Sequence, residues 1–491
     1  MRGGAGLRVL SVASEVFPLV KTGGLADVIG ALPPALAKEG VAVRTLVPGY
    51  PAVIHALRDA DDVHSFAALH GGPARLLAAS VAGLDLFVLD APHLYSRPGG
   101  PYAGADGIDW PDNALRFAAL GACAAAIGRG CVATFVPDVV HAHDWQAGLA
   151  PAYLHYGGAP RPRTVMTVHN LAFQGQFPAT MLAALGLPPH AYALEGVEYF
   201  GNISYLKAGL ALADAITTVS PNYASEIRTP EFGMGLDGLL RHRSAVLTGI
   251  LNGIDTDHWN PATDPHLPSR FNAKRLALRA GNKAALQGRM GLAINPAVPL
   301  FGVVGRLTWQ KGMDLLHDAL PTLVALGAQF VLIGSGDGAF EDAFAAAARR
   351  DPLRVAANIG YDEALAHVVQ GGCDALVMPS RFEPCGLTQQ CALRYGTIPV
   401  VSRVGGLSDT VVDATEMALA AGAGTGVMFA PVTQDALELA LERTVRLWHQ
   451  RPTWHRMQLH AMAVDVGWSR PAKHYARMYR DIVAGRPQKP A

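Results

Sequence analysis

Short runs of β-branched and other apolar residues alternate with longer helical patterns along the chain, and this alternation restricts the fold more than any other feature. In the first half, Arg8–Ala13 and Val41–Val47 predict strands on either side of a helix at about Leu25–Lys38. Phe301–Gly305 and Phe330–Ile333 repeat the arrangement in the second half. Such alternation is typical of mostly parallel sheets with helices on both faces. The sequence therefore predicts an α/β protein of two doubly wound domains, with a ligand cleft at the carboxyl ends of the strands.

A stretch rich in Gly, Asn and Asp, Thr248–Asn260, separates the two halves and is typical of a linker. A further helical pattern, His474–Val483, follows the second half, and we expect it to pack back on the first domain. The predicted division is an N-terminal domain of residues 1–248, a linker or hinge of 249–260, a C-terminal domain of 261–466, and a helix and tail of 467–491.

Composition argues against several functional classes. The 491 residues include 40 Lys and Arg against 40 Asp and Glu, so no overall basic field favours a nucleic-acid partner. The apolar stretches are too short or too interrupted to span a bilayer, and the N-terminus lacks the apolar segment of a signal peptide. The five cysteines form no CxxC pair, which suits a reducing compartment. We therefore expect a cytoplasmic protein with no membrane and no nucleic acid among its partners.

Two loops that follow predicted strands carry both glycine and positive charge. They are Lys21–Asp27 (KTGGLAD) and Gly305–Gly312 (GRLTWQKG), and the Gly-Gly-Leu-x-Asp turn of the first recurs at 405–409. Glycine lets a backbone approach a ligand, and helix N-terminal amides attract anions. Arg306 and Lys311 could converge on a diphosphate, Arg through a bidentate fork and Lys as a compact charge. The alternative is that these are ordinary solvated charges beside tight turns.

A third loop, Pro379–Leu387 (PSRFEPCGL), leads into a helix predicted to begin near its last residue. The backbone amides of Gly386–Thr388 would attract a phosphate, and Glu383 can accept hydrogen bonds from sugar hydroxyls. Cys385 has no convincing local Cys–His pattern. A small packing residue is therefore favoured there over a nucleophile.

Polar side chains also stand at the carboxyl ends of two further predicted strands. His141 and Asp144 lie in VVHAHD, and His169 lies in MTVHN. In a doubly wound fold such positions face the ligand cleft. The His141-x-His143 pair could indicate a metal, but no further ligands at suitable spacing complete a set, so a metal site is disfavoured here.

These motifs, together with others in the same order, resemble those of the bacterial glycogen synthase and plant starch synthase family, which are retaining glycosyltransferases with two Rossmann-like domains facing a central cleft (the GT-B architecture). The resemblance spans nearly the whole chain. The matching segments include SEVFPLVKTGGLADV (14–28), HLYSRPGGPY (93–102), DVVHAHDWQAGLAP (138–151), TVHNLAFQG (167–175), SYLKAGL (204–210), GILNGIDTDHWNP (249–261), GRLTWQKG (305–312), PSRFEPCGLTQ (379–389) and GGLSDTV (405–411).

The resemblance implies a glycogen synthase activity, the transfer of glucose from ADP-glucose to the non-reducing-end 4-hydroxyl of an α-1,4-glucan (glycogen or a maltooligosaccharide). It implies retention at the anomeric carbon and a role in glycogen biosynthesis. It also implies no cofactor, neither a metal nor pyridoxal phosphate, because ADP-glucose is the donor substrate. The residues alone leave ADP against UDP undecided, and they leave same-face attack against double displacement undecided.

Carried over by motif, the resemblance also implies roles for individual residues. The implied catalytic residues are Arg306, Lys311, Glu383 and His169. The implied donor-binding residues are Lys21, Gly24, Asn170, Asn252, Cys385, Gly386, Leu387 and Thr388. The residues implied on the acceptor or sugar side are Glu15, Asp27, Tyr95 and Asp144.

Two other functional classes stay open at this point. A glucan phosphorylase shares the two-domain plan, but no phosphorylase-like motif surrounds Lys311 and the chain is short for that class. A non-catalytic glucan-binding protein would be expected to lose Lys21, Arg306, Lys311 or Glu383, and all four are present. The sequence therefore favours a glycosyltransferase.

Overall fold

The computed structural model describes residues 6–104 and 107–486. Within these ranges the chain divides into two compact units, one drawn from Met1–Asn252 with Trp468–Ala491 and the other from Gly253–Gly467. Residues 1–5 of the predicted first domain and 487–491 of the predicted tail lie outside the described residues. No helix in the described ranges is long and apolar enough to cross a membrane.

The first unit contains twelve strands and nine α-helices among the described residues before the chain enters the second. The strands are β1 Leu7–Val12, β2 Val41–Pro48, β3 Asp61–Leu69, β4 Gly72–Val81, β5 Leu84–Asp90, β6 Val139–His143, β7 Arg163–Val168, β8 Gln176–Pro178, β9 Glu198–Tyr199, β10 Asn202–Ser204, β11 Ala215–Thr218 and β12 Leu247–Gly249. The helices are α1 Gly24–Ala37, α2 Pro51–Ala56, α3 Pro92–Tyr95, α4 Asn113–Gly128, α5 Asp144–Ala147, α6 Leu149–Tyr156, α7 Tyr205–Leu212, α8 Pro221–Glu226 and α9 Asp237–His242.

The main sheet of this unit has the strand order β12-β11-β7-β6-β1-β2-β5-β4-β3, as far as the described residues go. Strands β12 to β5 in this order run parallel, whereas β4 and β3 continue the sheet antiparallel, so β4 and β5 form a hairpin. The chain adds β2 and β5 on one side of β1, and then β6, β7, β11 and β12 on the other. The order therefore reverses between β1 and β6, which is where doubly wound sheets bind ligands.

The second unit repeats this plan. Its described strands are β13 Leu300–Val304, β14 Gln329–Gly334, β15 Val355–Ile359, β16 Ala375–Met378, β17 Ile398–Ser402 and β18 Val427–Phe429. Its described helices are α10 Arg279–Arg289, α11 Met313–Ala325, α12 Gly338–Arg350, α13 Glu363–Gly372, α14 Thr388–Tyr395, α15 Gly405–Thr410, α16 Glu416–Ala420, α17 Gln434–His449 and α18 Arg451–Ala463. The sheet is parallel in the order β15-β14-β13-β16-β17-β18, with its reversal between β13 and β16. The doubly wound prediction is thus confirmed in both units.

The last described helix, α19 (Ser469–Val483), returns to the first unit. Tyr475 and Tyr479 are fully buried in a cluster that also contains Val28 of α1 and the sheet residues Val9 and Val139. The Tyr479 hydroxyl lies 2.7 Å from Nδ1 of His141. The helix therefore covers one face of the first sheet and contributes part of that unit's core.

Two details of the sequence prediction differ from the structure. Thr248 and Gly249, at the start of the predicted linker-type stretch, pair with Thr217 and Thr218 as part of the edge strand β12. The division between the units falls after Asn252, within the predicted linker of 249–260. Strand β3 is largely exposed and lacks a continuous apolar run, and β18 is buried but only three residues long, so apolar periodicity predicts neither.

We expect Tyr475→Ala to destabilise the first unit by about 3–5 kcal/mol, because it leaves a cavity between α19 and the sheet. Arg477→Ala, at an exposed position on the same helix, is the matched control. Native-state hydrogen exchange of the amides of β1 and β6 would measure the loss. Unchanged protection in the Tyr475 variant would show that α19 does not stabilise this sheet.

Candidate functional site

The loop after β1 is organised by one buried carboxylate. Glu15 is 2% exposed. Its Oε1 accepts hydrogen bonds from the hydroxyls of Thr22 (2.6 Å) and Tyr102, and its Oε2 accepts from the backbone amides of Thr22 and Gly23. Because both oxygens hold the glycine-rich loop, Glu15 is a positioning residue for that loop. Its place on the acceptor or sugar side stays a prediction.

The same loop carries an ion pair. Nζ of Lys21 lies 2.8 Å from Oδ1 of Asp27, and the two side chains are 25% and 31% exposed. Asp27 lies in the first turn of α1, which begins at Gly24 after an extended Gly23. Asp27 therefore orients Lys21, which we expected to bind the donor, beside the amides at the start of α1.

Asp144 stands where β6 ends, across the point of strand-order reversal from the loop after β1. Its backbone has a φ of 55°, a left-handed conformation that is strained for a residue other than glycine. Oδ1 accepts the backbone amides of His169 (2.7 Å) and Asn170 (3.4 Å). Burial raises the pKa of this carboxyl to about 7, although the two amides oppose the rise. The carboxylate thus links the ends of β6 and β7 at a strained position, which is typical of functional sites.

A row of imidazoles lies beside Asp144. His143 Nδ1 and His169 Nε2 are 3.0 Å apart, and the rings of His141 and His143 are 4.0 Å apart. Burial lowers the pKa of His141 and of His169 to about 3, and it also lowers that of His143. The three imidazoles are therefore neutral at pH 7. His143 orients the partly exposed His169 and leaves Nδ1 of His169 for other contacts.

Two predicted site residues of this unit lie in its interior. Tyr95 is fully buried, and its hydroxyl donates to the carbonyl of Arg116 (2.6 Å), so it packs in the core, and its place near the acceptor side stays a prediction. His141 bonds Thr167 and Tyr479 rather than facing a ligand cleft.

Asn252 is 4% exposed, and its buried Oδ1 has no hydrogen-bond partner among the described residues. An unpaired buried acceptor of this kind suits a ligand contact.

In the second unit, the loops after β13 and β16 are joined at the strand-order reversal. The amide of Arg381 donates to the carbonyl of Gln310 (2.9 Å). Gly312 has a φ of 68°, and a Cβ there would lie 2.1 Å from the carbonyl oxygen of Pro379. Only glycine permits both the backbone angle and this close approach. The two predicted loops thus form one continuous surface.

An ion pair lies at the centre of this surface. Nζ of Lys311 lies 2.5 Å from Oε2 of Glu383, which also accepts the hydroxyl of Ser380 at 3.0 Å. Glu383 is 9% exposed along its side chain and Lys311 24%. An ammonium has three donors and a carboxylate has two oxygens, so both groups keep capacity for a ligand. Arg306, on the same loop as Lys311, is exposed.

The start of α14 completes the surface. Cys385 is 4% exposed, and its Sγ receives a hydrogen bond from Gln390. A Cβ added to Gly406 would lie 2.2 Å from the carbonyl oxygen of Cys385, so only glycine fits there. Gly386 has a φ of 71° and turns the chain into α14, which begins at Thr388 without a side-chain cap. The amides of Gly386, Leu387 and Thr388 therefore stand at an uncapped helix N-terminus, where anions are stabilised. The second Gly-Gly-Leu motif lies at the start of α15, where Gly406 permits this close approach.

Sequence reasoning missed several positioning residues. Arg381 forms a bidentate ion pair with Asp314 (2.7 and 2.6 Å) and places its guanidinium 4.3 Å from the ring centre of Trp309. Tyr102 donates a hydrogen bond to Glu15. His143 orients the ring of His169. Tyr102 and Arg381 lie inside the motifs quoted for the resemblance, but their partners are distant in sequence, so no local spacing reveals them.

Comparisons with known proteins agree with this geometry. The family described as "Starch synthase catalytic domain" matches residues 8–242, and "Glycosyl transferases group 1" matches residues 289–457. A glycogen synthase of Rhodopseudomonas palustris strain BisB18 is 61% identical over 477 residues, which cover 97% of this chain and 98% of that protein. A glycogen synthase of Acidiphilium cryptum is 59% identical over 478 residues, 97% of this chain and 100% of that protein.

Solved structures show the same family and fold. The catalytic domain of starch synthase IV from Arabidopsis thaliana, bound to ADP and acarbose, superposes with a TM-score of 0.87 at 32% identity, covering 98% of this chain and 100% of that chain. Sucrose-phosphate synthase from Thermosynechococcus elongatus, at 18% identity and a TM-score of 0.60, shares the fold alone and covers 98% of this chain and 100% of that chain. The chain therefore belongs to the glycogen synthase and starch synthase family, and it is a glycosyltransferase of the GT-B fold.

Proposed function

We propose that this chain transfers glucose from ADP-glucose to the non-reducing-end 4-hydroxyl of an α-1,4-glucan, with retention at the anomeric carbon, in glycogen synthesis. The observation that carries the proposal is the Lys311–Glu383 pair at the strand-order reversal of the second sheet, on loops that also carry Arg306 and an uncapped helix start. Relatives named glycogen synthase and a starch synthase bound to ADP and acarbose support the donor and the acceptor.

In this proposal the second unit stabilises the leaving group. Cleavage of the bond between glucose and ADP builds negative charge on the diphosphate. Arg306 and Lys311 supply two positive charges, and the amides of Gly386, Leu387 and Thr388 add the field of a helix N-terminus. Cys385 contributes by packing beneath this turn, where it is 4% exposed.

The remaining groups are assigned to the sugar and to the rest of the donor. Glu383 would accept hydrogen bonds from hydroxyls of the transferred glucose, while Lys311 donates to Oε2 of Glu383. In the first unit, His169 and Asn170 would contact the sugar, and Asp144 would hold the backbone amides of both. The remaining donor-binding assignments are Lys21, Gly24 and Asn252.

No metal and no pyridoxal phosphate takes part in the proposed reaction, because two cations and a helix terminus already act on the leaving diphosphate. Turnover should therefore persist in EDTA. We place the reaction in the cytoplasm, since all five cysteines lie in the described residues as free thiols.

A donor-competition assay tests the proposal directly. The protein is mixed with maltoheptaose and with either ADP-glucose or UDP-glucose, and both chain extension and nucleotide release are measured. We expect extension by α-1,4-linked glucose with ADP-glucose as the preferred donor. Preference for UDP-glucose would refute the donor assignment, and release of glucose 1-phosphate from maltoheptaose and inorganic phosphate would indicate a phosphorylase instead.

Removing either cation of the second unit should slow the chemical step. We expect Arg306→Ala and Lys311→Ala each to lower kcat by about 10²-fold or more, because each removes charge directed at the leaving diphosphate. Lys274→Ala and Arg350→Ala, at exposed positions of the same unit, are the matched controls. Near-normal kcat in folded Arg306 and Lys311 variants would contradict the assignment.

The raised pKa of Asp144 gives a pH-dependent prediction. The pKa is about 7 in the folded chain and about 4 in an unfolded one. Between about pH 4 and pH 7, Asp144 is therefore protonated in the folded protein and ionised in the unfolded chain. The stability that Asp144 contributes is then present below about pH 4 and lost as the pH rises through about 7. Asparagine keeps an oxygen for the two amides, tolerates a positive φ and carries no charge.

We therefore expect Asp144→Asn to raise the free energy of unfolding relative to the parent protein at about pH 8, and to leave it nearly unchanged at about pH 4. Urea unfolding at both pH values measures the difference. An equal effect at the two pH values would show that charge burial at Asp144 is not the cause.

A further inference from the structure

A second cluster of polar side chains lies in the second unit, apart from the groups assigned to the reaction. Glu363 and His367 stand four residues apart on α13, so both project from one face of that helix. His258 comes from the segment that precedes α10. One ligand atom from each of these three residues lies within 4.8 Å of the other two.

On the exposed side of the cluster, the side chains of His258 and Glu363 already contact each other. Nε2 of His258 lies 3.1 Å from Oε1 of Glu363, and these side chains are 34% and 28% exposed. Oε2 of Glu363 accepts the hydroxyl of Tyr361 at 2.8 Å. The imidazole and the carboxylate therefore meet where an ion from solvent can reach them.

His367 forms the buried side of the cluster, and its ring is held by an edge contact and a stacking contact. It is 1% exposed, and its Nδ1 lies 2.7 Å from Oδ2 of Asp264, which also accepts the hydroxyl of Tyr395. The ring of Trp259 stacks on it at 3.8 Å between centroids and 6° between planes. The stacked Trp259 fixes the position of the ring, and Asp264 fixes Nδ1 as the nitrogen that makes the hydrogen bond.

The second nitrogen of His367 is the feature that points to a ligand. Nε2 is buried and has no hydrogen-bond partner among the described residues. When Nδ1 donates its proton to the Asp264 carboxylate, Nε2 carries a lone pair, which is the form that binds metal ions. A carboxylate behind a histidine is the usual arrangement that orients a metal-binding imidazole.

We propose that His258, Glu363 and His367 bind a divalent transition metal of the zinc type, with Asp264 as the residue that orients His367. Two imidazoles and one carboxylate match the ligands zinc accepts, whereas magnesium and calcium require oxygen ligands. Bonds of about 2.0–2.1 Å need the three ligand atoms to draw closer than they are now, which rotation of the exposed His258 and Glu363 side chains allows.

The His258–Glu363 ion pair by itself does not account for the cluster. It explains the contact of those two groups, but it leaves a buried, rigidly oriented nitrogen of His367 without a partner, which is costly in a protein interior. A bound ion gives that nitrogen a partner and ties the segment of His258 and Trp259 to the start of α13. The ion would stabilise the second unit and take no part in glucose transfer.

Calorimetric titration of the full-length protein, first freed of metal with EDTA and dialysed, tests the site. We expect one equivalent of Zn²⁺ to bind, no comparable binding of Mg²⁺, and a rise in the thermal unfolding midpoint when zinc is present. Co²⁺ in place of Zn²⁺ should give visible absorption from coordinated nitrogen and oxygen ligands.

His258→Ala, at a partly exposed position, is the decisive variant because His367→Ala removes a buried ring and could unfold the chain. We expect His258→Ala and Glu363→Gln to weaken zinc binding by about tenfold or more. His455→Ala, at an exposed position of α18, should bind zinc like the parent protein. Absence of stoichiometric zinc binding, or equal binding by the parent protein and His258→Ala, would overturn the proposal.

Discussion

In each unit, the point at which the strand order reverses determines where chemistry can occur. Between β1 and β6, and again between β13 and β16, the chain leaves neighbouring strands in opposite directions, so no crossover helix covers their carboxyl ends. Glu15 and Asp144 follow one such pair of strands, and Arg306 and Glu383 follow the other. The parallel hydrogen-bonded sheet thus brings together residues that are more than a hundred positions apart in the first unit and more than seventy apart in the second.

The charged groups at these points are held by partners rather than left to solvent. Lys311 is paired with Glu383, Lys21 with Asp27, and Arg381 with Asp314. Such pairing fixes side chains before a substrate arrives, and a preorganised charge costs no reorganisation when the leaving group develops its own. In the first unit, burial lowers the pKa of the His141 and His169 imidazoles and keeps them neutral, so they act as uncharged hydrogen-bonding groups.

The two regions of functional interest in the second unit differ in character. The surface around Lys311 is built from glycine turns and backbone amides, which suit an anion. The cluster around His367 is built from imidazole and carboxylate groups over a stacked tryptophan, which suit a cation. The first uses loops that follow strands, whereas the second combines two residues of α13 with His258 of a loop, so each is positioned by the fold.

By itself, the sequence determined the fold class, the family and most strand positions, because hydrophobic periodicity and glycine-rich motifs are local properties. It also identified the loops of Arg306, Lys311 and Glu383, since each motif is contiguous. Only the tertiary structure decided that Glu15 holds a loop, that Tyr95 belongs to the core and that Thr248 and Gly249 form an edge strand. Only the tertiary structure brought His258 to His367, because burial and contact between distant segments depend on packing, which no local spacing in the sequence records.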